Sequence, residues 1–167
     1  MEIQNSYKTG VVNPALAFWN SIIDERRILG FPDEVVKTAA GMTAEEFTVL
    51  CANLRSRDRI REIASLMDFP HAPIIDESWF YFRHCQALVL QGLILVRRHP
   101  TAKDVRSHKR LEHDVHDVQY LTLGLMTRHL ATNEISHDFN MFSMKWRFEL
   151  LRPDGLVITP ETLPSLL

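Results

Sequence analysis

Asp114, Asp117 and Glu134 are the residues of this chain whose types and spacing best suit chemistry. Asp114 and Asp117 are three apart in a stretch of helical periodicity, so they neighbour each other on the flank of an apolar stripe. Glu134 follows a short β-compatible run, His129–Asn133, and sits just past its C-terminal end, where ligand crevices form in open α/β sheets. Carboxylates gathered without His or Cys at ligand spacing suit a hard, oxygen-preferring cation, Mg2+ or Mn2+. Such a cation activates water and holds a phosphodiester for in-line displacement. Upstream, Arg97, Arg98, Lys103, Arg106, Lys109 and Arg110 face only one acid, Asp104, and are candidate phosphate contacts. Plainer roles exist for the same residues: acids are favoured in the first turn of a helix by its dipole, and charge runs usually face water.

The elements that must position these groups change character along the chain. Asn13-Pro14 reads as a helix start and Gly30 as its end, with Leu16, Trp19, Ile22 and Ile23 in helical period between them. Thr43 and Glu46 form a candidate capping box for a helix through Phe47, Leu50 and Leu54. Arg57 to Met67 places Ile60, Ile63, Ala64 and Met67 on one stripe. After Pro70 and Pro73, Asp76 is expected to cap a long helix, about Glu77 to Arg98, whose second half is apolar nearly all round and therefore central. Trp19, Trp79 and Trp146 are expected as core anchors. From Leu111 onward, Leu111, Val115, Val118, Thr122 and Leu125 share a helical face, and the short strand follows. A second stripe, Phe139, Phe142, Trp146 and Leu150, leads into the turn Arg152-Pro153-Asp154-Gly155 and the strand Leu156–Thr159. Strand, crossover helix and strand make a βαβ unit with parallel strands. The expected fold is a predominantly helical α/β single domain over 1–167. A multi-helix part covers 1–98, and a small parallel sheet lies within 111–160.

Within 111–160 the runs Asp117-Val-Gln-Tyr120, Leu130-Ala-Thr132-Asn-Glu134 and Leu151-Arg-Pro-Asp-Gly-Leu-Val-Ile158 resemble the C-terminal half of a PIN-like domain. These are metal-dependent, mostly RNA-cleaving nucleases, common among bacterial toxins. The resemblance implies that Asp117, with Asp114 as a helper, and Glu134 hold Mg2+ or Mn2+ and act on single-stranded RNA. It also implies a mid-domain acid, for which Asp76 and Glu77 are the nearest candidates. The family opens on an apolar strand that ends in an essential Asp, and Met1 to Gly10 contains no such strand. The chain therefore reads either as an N-terminally shortened form or as a scaffold lacking part of the metal cage. In the second case it acts as an interaction module that meets a protein partner or a second copy through the open sheet edge. A more remote pattern, His84, His116-Asp117 and Asp138, imitates the ligand set of HD-type metal phosphohydrolases.

Composition bounds these functions. The apolar fraction is 46%, the charged fraction 24% and the formal net charge −2, so attraction to nucleic acid must be local rather than global. Cys51 and Cys85 lie in apolar helical patterns without a CxxC, which suits a reducing cytoplasmic compartment. No secretory leader is expected from the polar first ten residues. The longest apolar run, Ala87 to Val96, is far short of the roughly 20 residues a membrane span needs.

Overall fold

The computed structural model describes residues 15, 17–19, 31–66, 76–99, 111–133 and 142–165. Within them a helical body supports a two-stranded parallel sheet. Helix α1 (Asp33–Thr38) starts after Pro32 with Asp33 and Glu34 in its first turn and Lys37 in its last, the charge order that complements the helix dipole. A 3-10 turn, Ala39–Gly41, leads to helix α2 (Ala44–Ala52). The capping box expected there is formed: Thr43 Oγ1 accepts from the Glu46 amide at 3.2 Å, and Glu46 Oε2 accepts from the Thr43 amide at 2.8 Å. Helix α3 (Arg57–Leu66) buries Ile60 and Ile63 and leaves its charges outside.

Helix α4 (Phe80–Arg98) is the centre of the molecule, with every residue from Cys85 through Val96 buried. Its start corrects the sequence expectation. Asp76 does not cap it; its carboxylate accepts from the Ser78 amide at 2.8 Å and the Ser78 hydroxyl at 2.5 Å, closing a turn ahead of the helix. Aspartate offers the backbone this local alternative to helix, and here the turn prevails, so the helix begins three residues later than expected. Trp79 is consequently an extended residue at the helix edge, 39% exposed rather than a core anchor. Trp19 and Trp146 do lie in the core, and Trp19 Nε1 donates to the Leu88 carbonyl at 3.1 Å. Gln86 ties α4 to the 3-10 turn Asn53–Arg55, donating to the Leu54 carbonyl at 2.7 Å and accepting from Arg83 Nη1 at 2.9 Å.

Helix α5 (Leu111–Thr127) packs along α4 and buries Val115, Val118, Leu121, Thr122 and Leu125. The two helices run antiparallel: His84 near the start of α4 meets Thr122 near the end of α5, and Arg98 at the end of α4 lines a cleft with His113 near the start of α5. Arg128, with φ of 63°, reverses the chain into strand β1 (His129–Ala131), which is two residues shorter than expected. Helix α6 (Met144–Leu151), capped by Ser143, precedes strand β2 (Leu156–Ile158). The strands pair in parallel, with Leu130 opposite Val157, as the helix–strand–helix–strand pattern implies. Gly155 in the turn before β2 is required by close approach: a Cβ there would stand 2.5 Å from Cζ of Phe148. Among the described residues there is no further strand, and no helix is long and apolar enough to cross a membrane.

Candidate functional site

The α4–α5–α6 arrangement brings both helical aspartates to one cleft of about 790 Å³, lined by Arg98, His99, His113, Asp114, Asp117, Phe142 and Arg147. Asp114 points toward the body and is only 7% exposed, while Asp117, one turn later, is half exposed. The burial of Asp114 departs from what a solvated helix terminus would give. The lining sets two guanidinium groups and two imidazoles beside two carboxylates. Arg147 sits in the wall: its Nε donates to the Phe142 carbonyl at 3.0 Å and its Nη1 lies 3.8 Å from Asp117 Oδ2. Arg98 lays its guanidinium over the Phe142 ring, 4.7 Å from the centroid. Behind them Phe47, Phe142 and Trp146 form an aromatic cluster that joins α2 to α6 and fixes the floor.

Tyr120 sets the position of the acids relative to the sheet. Its hydroxyl donates to the carbonyl of Ala131, the last residue of β1. Asp117 and Asp114 lie three and six residues before Tyr120, about 4.5 and 9 Å along the helix axis at 1.5 Å per residue. The acids therefore stand beyond the C-terminal end of β1, the side on which α/β sheets carry their ligands. Glu134 lies outside the described residues.

Not every expected site residue is brought here. Asp76 lies before the start of α4, whereas the cleft lies at the end of that helix, about 28 Å away for 19 residues. Its carboxyl is held below the usual range first by the Ser78 hydroxyl and then by the Ser78 amide, which makes it part of a turn and not of the cleft. Arg97 is also turned away. It donates to the carbonyls of Ala39 at 3.0 Å and Met42 at 2.6 Å and stacks on Phe47, so it staples α4 to the Ala39–Gly41 turn. Adjacent residues on a helix point about 100° apart, and so Arg98 reaches the cleft where Arg97 cannot. Lys103, Arg106, Lys109 and Arg110 lie outside the described residues. Of the HD-type pattern, His84 packs against Thr122 and Phe80, away from the cleft lining, and Asp138 lies outside the described residues.

Arg147, Phe142, His99 and His113 complete the lining, and sequence reasoning gave none of them a role there. Phe142 was legible only as part of an apolar stripe. The one signal for Arg147 is a cation set between Trp146 and Phe148 in the helix Met144–Leu151. Carboxylates are the ligand type of Mg2+ or Mn2+, which is commonly held by one or two of them with water and substrate phosphate completing its shell. Among the described residues no group of three or more His, Cys, Asp or Glu converges as a metal cage. Set against protein-family models, curated proteins and solved structures, the chain matches none of them.

Proposed function

We propose that this cleft is the site of a PIN-like, Mg2+- or Mn2+-dependent ribonuclease, with Asp114, Asp117 and Glu134 as the cation-holding acids. The observation that carries the reading is the placement of Asp114 and Asp117 in one cleft with Arg98 and Arg147, beyond the C-terminal end of β1. A divalent cation held there would supply an activated water and a Lewis acid for the phosphoryl oxygens. The chain's own groups have separate tasks. Asp117, half exposed, is the acid that solvent and substrate reach first; Asp114, buried one turn before it, lines the same cleft. Arg98 and Arg147 are positioned to meet the phosphate, and Phe142 holds the Arg98 guanidinium flat. Incubation of the purified chain with single-stranded RNA and Mn2+ tests the reading. Cleavage that EDTA stops, and that Asp117→Asn and Glu134→Gln each abolish, is expected. Absence of cleavage, or cleavage that survives both substitutions, rejects it.

A second reading, an inactive interaction module, is favoured by the outward face of α5. Tyr120, Leu123 and Met126, three apart along that helix, are all exposed beside a sheet that has only two strands among the described residues. Light scattering on the purified chain separates the two. A monomer that cleaves RNA supports the enzyme, and a stable dimer without cleavage supports the module.

A further inference from the structure

Three arginines meet around one carboxylate at the end of the sheet away from the cleft. Arg128 directly precedes β1, Asp154 sits in the turn before β2, and Arg152 closes the C-terminal end of α6. Arg128 Nη2 donates to Asp154 Oδ2 at 2.5 Å, and Arg152 Nε stands 3.6 Å from Asp154 Oδ1. The second separation is an ion pair, too long for a hydrogen bond. Arg152 Nε is shielded from solvent, and among the described residues it has no hydrogen-bond partner. Arg152 Nη1 is committed to the Leu125 carbonyl at 2.9 Å, near the end of α5. The third cation, Arg83, is buried and directs its Nε to the Glu77 carbonyl and its Nη1 to Gln86. Burial lowers its pKa first, and the charges that then act on it are Arg152, Glu77, Asp154 and Arg128. Glu77 itself faces Arg57 at 4.0 Å. Asp154, 56% exposed, thus brings a single negative charge to three guanidinium groups.

We infer that this cluster binds a phosphate-monoester dianion, with Asp154 as an internal carboxylate that holds the arginines until the ligand displaces it. Guanidinium forks fit carboxylate and phosphate alike, so charge and acceptor number decide between them. A carboxylate ligand repeats the one charge and two oxygens of Asp154, and a phosphodiester also carries one charge. A monoester brings close to two charges at neutral pH and three acceptor oxygens. These can serve Arg128 Nη2 and the unsatisfied Arg152 Nε together. Displacement asks only that an exposed side chain in a turn give up its place. The site is separate from the cleft, since Arg83 and Arg98 stand about 22 Å apart along α4 at 1.5 Å per residue.

The test is titration of the full chain with inorganic phosphate, read by NMR on the Nε–H signals of Arg128 and Arg152, which lie far from the cleft. Both signals should shift and saturate. For exposed ion pairs the expected effects are about two- to fivefold. Asp154→Asn tightens phosphate by that factor, because the internal competitor is gone, and Arg128→Gln weakens it similarly. The first variant decides the matter if the second does not fold. Ethyl phosphate binds as inorganic phosphate does, whereas dimethyl phosphate and acetate bind several-fold more weakly. Ethyl phosphate also weakens as pH falls from about 7.5 to about 5, because the dianion takes up a proton near pH 6. Asp154 stays charged over that range, its carboxyl held low first by the Arg128 hydrogen bond. A phosphoserine tripeptide that binds more tightly than ethyl phosphate supports the site with a phosphorylated chain as the source, and equal binding supports it with a small monoester. Arginine signals that do not move, or phosphate bound no more tightly by Asp154→Asn, overturn the site. Acetate that binds as tightly as ethyl phosphate overturns the assignment of a monoester.

Discussion

Two glutamines five residues apart on α4 should respond oppositely to the same substitution. Gln91 is 1% exposed in the middle of the central helix, and among the described residues neither its Oε1 nor its Nε2 has a hydrogen-bond partner. A buried amide without partners costs roughly 1–3 kcal/mol by mutational measures. Methionine has nearly the same length and shape without that cost, and a volume-conserving exchange adds little strain. Gln91→Met is therefore expected to stabilise the fold by about 1–2 kcal/mol, or about 2–8 °C in melting temperature for a chain of this size. Gln86 is equally buried but fully engaged, donating to Leu54 and accepting from Arg83. Gln86→Met removes both bonds and strips the buried Arg83 guanidinium of an acceptor, at a cost of about 2–4 kcal/mol. Burial already holds the pKa of Arg83 below its ordinary value, and the nearby Arg152 adds to this, so the loss falls on a group with little solvent to replace it. Urea denaturation followed by circular dichroism measures both variants, with an unchanged m-value confirming that the comparison is of native stability. A destabilised Gln91→Met, or two variants that shift together, would refute the assignment of Gln91 as an unsatisfied group.

Three further outcomes follow from the same structure. Arg97→Leu should cost about 2–4 kcal/mol in denaturant, because two carbonyls and the Phe47 face lose their partner, whereas Arg98→Leu should cost under about 1 kcal/mol and instead weaken phosphate binding; equal costs would contradict the division of roles. Burial pushes the Cys85 thiol up to about 12 and raises Cys51 as well, so neither should react with a disulfide reagent in the native state, and rapid labelling of either would show the core to be open. Burial lowers the His84 imidazole below its ordinary 6.5, so the unfolded chain takes up this proton more readily than the folded one. Stability should therefore fall as pH drops from 6.5 toward the lowered folded value, and His84→Phe should flatten that part of the profile when urea midpoints are compared at about pH 7.5 and about pH 5.5; an identical profile would contradict the burial of the imidazole in the seam.

The features legible in the sequence were those with local chemistry. Thr43 and Glu46 needed only each other to form a capping box, and the Arg152–Gly155 turn carried its own glycine. The parallel pairing of β1 and β2 followed from helix-length segments standing before and between two short β-compatible runs. Where one residue type serves two local structures, pattern reading failed. Asp76 suits a helix cap and a turn equally, and the turn took it, leaving Trp79 outside the core. Arg97 and Arg98 read as one basic run, but the helix sends one to the carbonyls of Ala39 and Met42 and the other to the cleft. Spacing alone placed Asp114 and Asp117 side by side, yet it could not show that one is buried. Arg147 was missed because its partner Asp117 lies thirty residues away, across a fold that no short pattern encodes.

The most direct test of a cation site on α5 is diffraction from Mn2+-soaked crystals of the wild-type chain at the manganese absorption edge. An anomalous peak within coordinating reach of the Asp117 carboxylate, lost in Asp117→Asn crystals, is the expected result. A map with no peak in the cleft, or a peak that persists when Asp117 is replaced, would contradict the assignment of these acids to a metal-assisted site.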